Sequence, residues 1–186
     1  MALIESGYTR TCKDSLGGVK AVWLAKWVKY NRSQIIVEDN YLTAFPDTFI
    51  HRFDSLTIPN AIETQQENEG GKYYEQSISL TIQTNSKREL DLLQILEWRI
   101  LFLDNNGLYR VFGLYNGLEC GNIDFKTGGG KSDLNGYTFT FTGKEEKQSV
   151  FVTDPTSLGL EEETFYILAQ NDDIIVAQND DKITYL

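Results

Sequence analysis

The stretch Thr127–Tyr137, "TGGGKSDLNGY", closes a glycine run with Gly130-Lys131-Ser132, the last three letters of a phosphate-cradling P-loop. That loop requires Gly, four residues, then Gly-Lys-Ser/Thr, because the first glycine lets backbone N–H groups converge on a phosphate. Phe125 stands where the first glycine must be. The loop also requires a helix after it, whose dipole faces the phosphate. Here "YTFTFTG" follows, alternating aromatic residues with threonine, which predicts a strand. The segment therefore reads as a glycine-rich connection between two strands, not as a nucleotide site.

Other chemistry is sparse. His51 is the only histidine, so no two-histidine metal site can be assembled. Counting alone permits a Cys-His nucleophile pair from Cys12 or Cys120 with His51, but neither cysteine lies in a recognisable nucleophile context. The acidic clusters Glu145-Glu146, Glu161-Glu162-Glu163, Asp172-Asp173 and Asp180-Asp181 lack the spacing of a calcium loop, and read as solvated turn residues. No metal, no cofactor and no enzymatic activity are expected. Trp23, Trp27, Tyr73 and Tyr74 could stack a sugar, which gives one alternative, a monomeric β-rich glycan-binding module. Aromatic residues on strands more often form core or an assembly interface.

Composition narrows the class. With 41% hydrophobic and 12% aromatic residues, the 186-residue chain should fold around a sizeable core. Its 17 basic and 27 acidic residues leave a net charge of -10, which opposes tight binding to nucleic acid. The same charge suits a conduit through which DNA slides without sticking. Two cysteines without CxxC spacing favour a reduced compartment over a Cys12–Cys120 bridge, although the sequence leaves that pairing open. No secretory signal or membrane-length apolar run is read, so no membrane anchor is expected.

The elements that must position any site are mostly strands. "VKAVWLAKWVKY" reads as a long strand, and "SQIIVED" and "YLTAF" flank Asp39-Asn40 as a hairpin. A short β segment around His51 lies between Pro46 and Pro59. "ETQQENEGG" is an exposed mobile loop or the tip of a long hairpin, because "KYYEQSISLTIQT" after it alternates as a half-buried strand. Ser86 and Glu89 form a capping box that predicts one helix over Lys87–Trp98, with Leu90, Leu93 and Leu96 on its apolar stripe. Asn106-Gly107, Asn116-Gly117 and Asn135-Gly136 are turn signals, the first two within a three-strand meander ending at Phe125. "ILAQNDD" recurs as "IVAQNDD" and predicts a small C-terminal β meander after the linker-like "DPTSLGLEEET". The expected organisation is a mainly β domain over residues 1–154 and a linker with a β appendage over 155–186.

Taken together, "NEGGKYYEQSISLTIQ", "GLYNGLECGNIDFKTGGGKSDLNGYTFTFTGKEEK" and the helix between them resemble the bacteriophage tail tube family, or a related phage virion structural protein. The resemblance implies an antiparallel β-sandwich or barrel with a flanking helix and a long protruding loop. It implies a non-enzymatic protein that self-assembles into rings, usually six-fold, stacked as a tube in a virion tail and assembled in the host cytoplasm. Its partners would be further copies, other phage tail proteins and DNA passing without tight binding. On that resemblance Glu67, Asn68, Glu69, Gly70, Gly71, Lys72, Tyr73 and Tyr74 form the inter-subunit loop, and Lys131 and Asp133 are candidates for a second contact in a hairpin loop. The tail from Pro155 departs from the minimal family pattern, so a baseplate, ring or tail-completion protein is the alternative within the class.

Overall fold

Tyr137, Phe139 and Phe141 recur at every second position, so in an extended chain they share one face while Thr138, Thr140 and Thr142 share the other. The computed structural model describes residues 16–44, 49–53, 55, 57–82, 97–130, 135–162, 167–168, 174–177 and 183–184. In it Phe139 and Phe141 are fully buried, and their rings continue a row with Tyr137 and Phe125. On the opposite face Thr140 and Thr138 exchange hydroxyl hydrogen bonds of 3.2 Å with Ser79 and Thr81 of the neighbouring strand.

The chain is mainly β. Its strands are β1 Val19–Lys26, β2 Ile36–Glu38, β3 Tyr41–Ala44, β4 Phe49–Phe53, β5 Asn60–Asn68, β6 Gly71–Ile82, β7 Trp98–Asp104 and β8 Tyr109–Phe112. They continue with β9 Glu119–Lys126, β10 Gly136–Glu145, β11 Val150–Val152, β12 Glu161–Glu162, β13 Ile167–Leu168, β14 Ile174–Ala177 and β15 Ile183–Thr184. One sheet has eight strands in the order β12-β4-β1-β7-β8-β11-β3-β2, a second has four in the order β5-β6-β10-β9, and β13-β14-β15 form a third. The expected C-terminal meander thus has its three strands.

Val22 and Leu24 of β1, Ile100 and Phe102 of β7 and Phe112 of β8 meet Ile78 and Leu80 of β6 and Phe139 and Phe141 of β10 in one cluster. The two large sheets therefore share an apolar layer. The other face of the eight-stranded sheet gathers Trp23, Leu101, Val111, Leu42, Ile50 and Leu160 into a second cluster. Leu42 and Ile50 lie on well-separated strands yet line the same void of about 10 Å³, so this sheet curls around its second cluster. Burial on both faces explains why β1 reads as a nearly continuous apolar run.

Several expectations change. The helix expected over Lys87–Trp98 falls largely outside the described residues, and Trp98 is the first residue of β7. Among the described residues there is no α-helix, only two 3₁₀ turns at Arg32–Gln34 and Pro155–Leu158. The meander stops at β8: β9 pairs with β10 in the other sheet. Asn116-Gly117 is not a hairpin turn but part of a crossing between sheets. Asn135-Gly136 is not one either, since Gly136 already pairs with Lys126. Asp39-Asn40 does form the expected turn, with φ of 49° and 68°. Of the segment expected as linker, Pro155 and Leu160 are buried and β12 pairs with β4.

The crossing rests on contact between backbones. A Cβ on Gly143 would lie 2.6 Å from the Gly117 carbonyl oxygen and 2.7 Å from Leu118 Cδ2. Gly143→Ala is expected to lower stability by about 1–3 kcal/mol, as overpacking does. Urea unfolding of wild type and variant measures it, and an unchanged midpoint would mean that the crossing yields freely.

Candidate functional site: the overhanging hairpin and the open-edged sheet

Of the two readings of "ETQQENEGG", the structure gives the hairpin tip. β5 and β6 pair from Asn60↔Ser79 to Asn68↔Gly71, with the turn at Glu69-Gly70. Gly71 takes φ 113°, a conformation that side-chain-bearing residues avoid. Asn68 Oδ1 accepts the Gly70 N–H at 2.9 Å, an Asx turn that fixes the tip. β10 accompanies β6 only as far as Tyr74↔Glu145. The hairpin therefore projects three residues past its neighbour, about 10 Å at roughly 3.3 Å per residue.

Along the overhang Glu67 faces Lys72 across the ladder, and Tyr74 Oη donates to Gln65 Oε1 at 3.4 Å. The Lys144 ammonium lies 5.3 Å from the centre of the Tyr73 ring and 3.5 Å from Glu75. A pocket of about 340 Å³ separates the tip from Asn116 and Lys144–Glu146. Glu67–Lys72 are all exposed, while Tyr73 and Tyr74 are half-buried. The structure thus brings together all eight residues of the expected loop; Lys131 and Asp133 lie outside the described residues.

The edges of the sheets differ. The eight-stranded sheet ends in β12 and β2, of 2 and 3 residues. The four-stranded sheet ends in β5 and β9, of 9 and 8 residues, neither paired further among the described residues. Short edges are a common protection against stray pairing, and long ones are templates for it. Ile62 on β5 and Phe125 on β9 are 50% and 53% exposed.

Beneath the hairpin two buried charges, neither expected from sequence, hold the crossing from Gly113 to Leu118. Arg99 is 2% exposed; its Nε donates to the Leu114 carbonyl and its Nη2 to that of Val28, both at 2.9 Å. Its guanidinium also faces the rings of Tyr30 and Trp27. Glu145, also 2% exposed, accepts the N–H groups of Tyr115 at 3.0 Å and Asn116 at 2.8 Å on Oε1, while Oε2 has no partner. Arg99 thus grips one carbonyl of this turn and ties it to Val28, while Glu145 grips two of its N–H groups. The only sequence signal was an arginine inside the apolar run "WRILFL". Glu145, expected in a solvated pair, is buried, whereas Glu146 is exposed and pairs with both terminal nitrogens of Arg32.

Burial pushes the Glu145 carboxyl above the usual carboxylate range, against the pull of the two N–H groups and Arg99. The hydrogen bonds from Arg32 hold Glu146 below that range. Burial also raises the Cys120 thiol, which approaches the Asn122 carbonyl at 3.9 Å. Cys120 and His51 lie on strands of different sheets. Trp23, one of the aromatics that could have stacked a sugar, is buried at 7% against Tyr109, and Trp27 Nε1 donates to the Tyr115 carbonyl. Among the described residues no group of three or more His, Cys, Asp or Glu could hold a metal, and no helix is long and apolar enough to cross a membrane. No family model matches the chain, and no match is found among curated proteins or solved structures.

Glu145 binds its proton more tightly folded than unfolded. The folded chain therefore carries the extra proton between the ordinary carboxylate value, about 4.3, and the raised one, and this residue's contribution to stability falls as pH rises through that window. Glu145→Gln cannot titrate there, so urea midpoints measured against pH should lose that downward component. Parallel wild-type and variant profiles would contradict it.

Proposed function

We propose that this chain is a non-enzymatic structural subunit that self-assembles into rings or a tube, as in a phage tail, with its two large sheets forming a β-sandwich. The observation that carries the proposal is the four-stranded sheet with two long unpaired edges and a hairpin that overhangs it. In a ring, the β5 edge of one copy meets the β9 edge of the next, a head-to-tail contact that repeats until rotation closes it. Each copy then satisfies both edges, which a two-fold dimer pairing like with like does not do. The hairpin tip, free of β10, reaches beyond the sheet to a neighbouring ring. The net charge of -10 supports a surface over which DNA passes without binding.

Negative-stain microscopy and sedimentation of the purified chain test the proposal: rings or longer stacks are expected, and a monomer persisting at high concentration contradicts it. Ile62→Lys puts a charge on the β5 edge at a half-exposed position. It should lower the assembled fraction while changing the stability of the single chain by no more than about 0.5 kcal/mol, as surface substitutions do.

A further inference from the structure

At one open end of the two sheets lies a pocket of about 390 Å³ whose floor includes Phe102 and Phe112 and whose wall includes Arg110, Glu63, Asp104, Asn60 and Gln148. Arg110 is half-buried, and its guanidinium carbon sits 4.3 Å from the centre of the Phe151 ring. Stacking on that ring holds the guanidinium plane while leaving its edge N–H groups available. Among the described residues no carboxylate comes within ion-pair distance of Arg110 and no hydrogen bond engages it.

The two acids in the pocket are already committed. Glu63 Oε1 accepts the Gln76 side-chain amide at 2.8 Å and the Ser149 N–H at 2.7 Å, and its Oε2 accepts the Ser149 hydroxyl at 2.9 Å. Asp104 Oδ1 accepts the N–H groups of Asn106 at 2.8 Å and Leu108 at 2.9 Å, and its Oδ2 accepts the Asn106 side chain at 3.4 Å. A cation partly removed from water and left unpaired is costly, and a guanidinium fork matches a carboxylate with two parallel bonds. Asn60 and Gln148, whose side chains have no partner among the described residues, bring further amide donors. Glu63 and Asp104 repel a second negative charge, so a single carboxylate fits better than a phosphate dianion.

We propose that the Arg110 pocket is a receptor for one carboxylate, taken either from a small free acid or from an acidic side chain of a second copy. The second-copy source is the hairpin tip, whose Glu67 and Glu69 are exposed beyond the end of β10. This source rests on the self-assembly reading; the chemistry of the pocket does not.

Two measurements on the full chain decide it. In the first, thermal midpoints are compared in sodium acetate and sodium chloride at equal ionic strength; acetate should raise the wild-type midpoint saturably, and not that of Arg110→Gln. Arg110→Lys keeps the charge without the fork, and should retain less than half the rise. In the second, Arg110→Gln and Glu67→Gln/Glu69→Gln should each weaken self-association at least about tenfold, as loss of one partner from a desolvated charge pair does. Their combination should weaken it no further. Such coupling assigns the carboxylate to a second copy, and an acetate effect without coupling assigns it to a free acid. If wild type does not assemble at all, the self-assembly reading fails and the acetate arm alone decides the pocket. The absence of both an Arg110-dependent acetate effect and coupling to the tip would overturn the proposal.

Discussion

The passage of the chain from the eight-stranded sheet to the four-stranded one, between Gly113 and Leu118, is the constraint on which the other contacts depend. Trp98 and Leu118 exchange backbone hydrogen bonds of 2.8 and 2.9 Å across it, tying the start of β7 to the start of β9. Gly143 lets the crossing lie directly against β10, and Gly113, at φ 68°, packs under the Trp98 carbonyl. Arg99 and Glu145 then neutralise the turn's exposed carbonyl and N–H groups from opposite sides. A partly buried turn between two sheets would otherwise leave backbone polar groups short of partners, each buried one at a cost comparable to a lost hydrogen bond. Charged acceptors and donors make stronger bonds than neutral ones, which fits their use at a turn whose ends, Gly113-Leu114 and Gly117-Leu118, are buried.

That same crossing separates what could be read in the sequence from what could not. The alternation in β6 and β10 and the Asp39-Asn40 turn are local patterns, and both stand in the structure. Asn116-Gly117 looks locally like the other Asn-Gly turns. Whether it closes a hairpin or carries the chain to another sheet depends on Gly143 and Glu145, almost thirty residues away. Trp23 shows the same limit: β1 is buried on both faces, so an aromatic with a lysine three residues away on either side gives no sign that it lies in a second core. Asp104–Gly107 was legible as a turn, but not as the clamp that holds the backbone of Leu16 and Gly17 through the side chains of Asn106 and Asn105.

The hairpin tip was legible because a polar, glycine-ended run stood before a strongly alternating strand. The free edges were not, since an edge is defined by the strand that fails to pair beside it. Their difference in length decides the functional argument: the large sheet ends in strands too short to recruit a partner, and the small sheet ends in strands of ordinary or greater length. With 27 acidic residues against 17 basic ones, association by charge alone is opposed, so the proposed assembly rests on backbone pairing and specific pockets.

Amide hydrogen exchange, followed from dilute to concentrated protein, tests most directly whether these edges join copies. Joining predicts that the outward-facing amides of Asn60–Asn68 and Glu119–Lys126 become protected together as concentration rises, while the short edges β2 and β12 do not change. Exchange at β5 and β9 that stays fast at every concentration would contradict it.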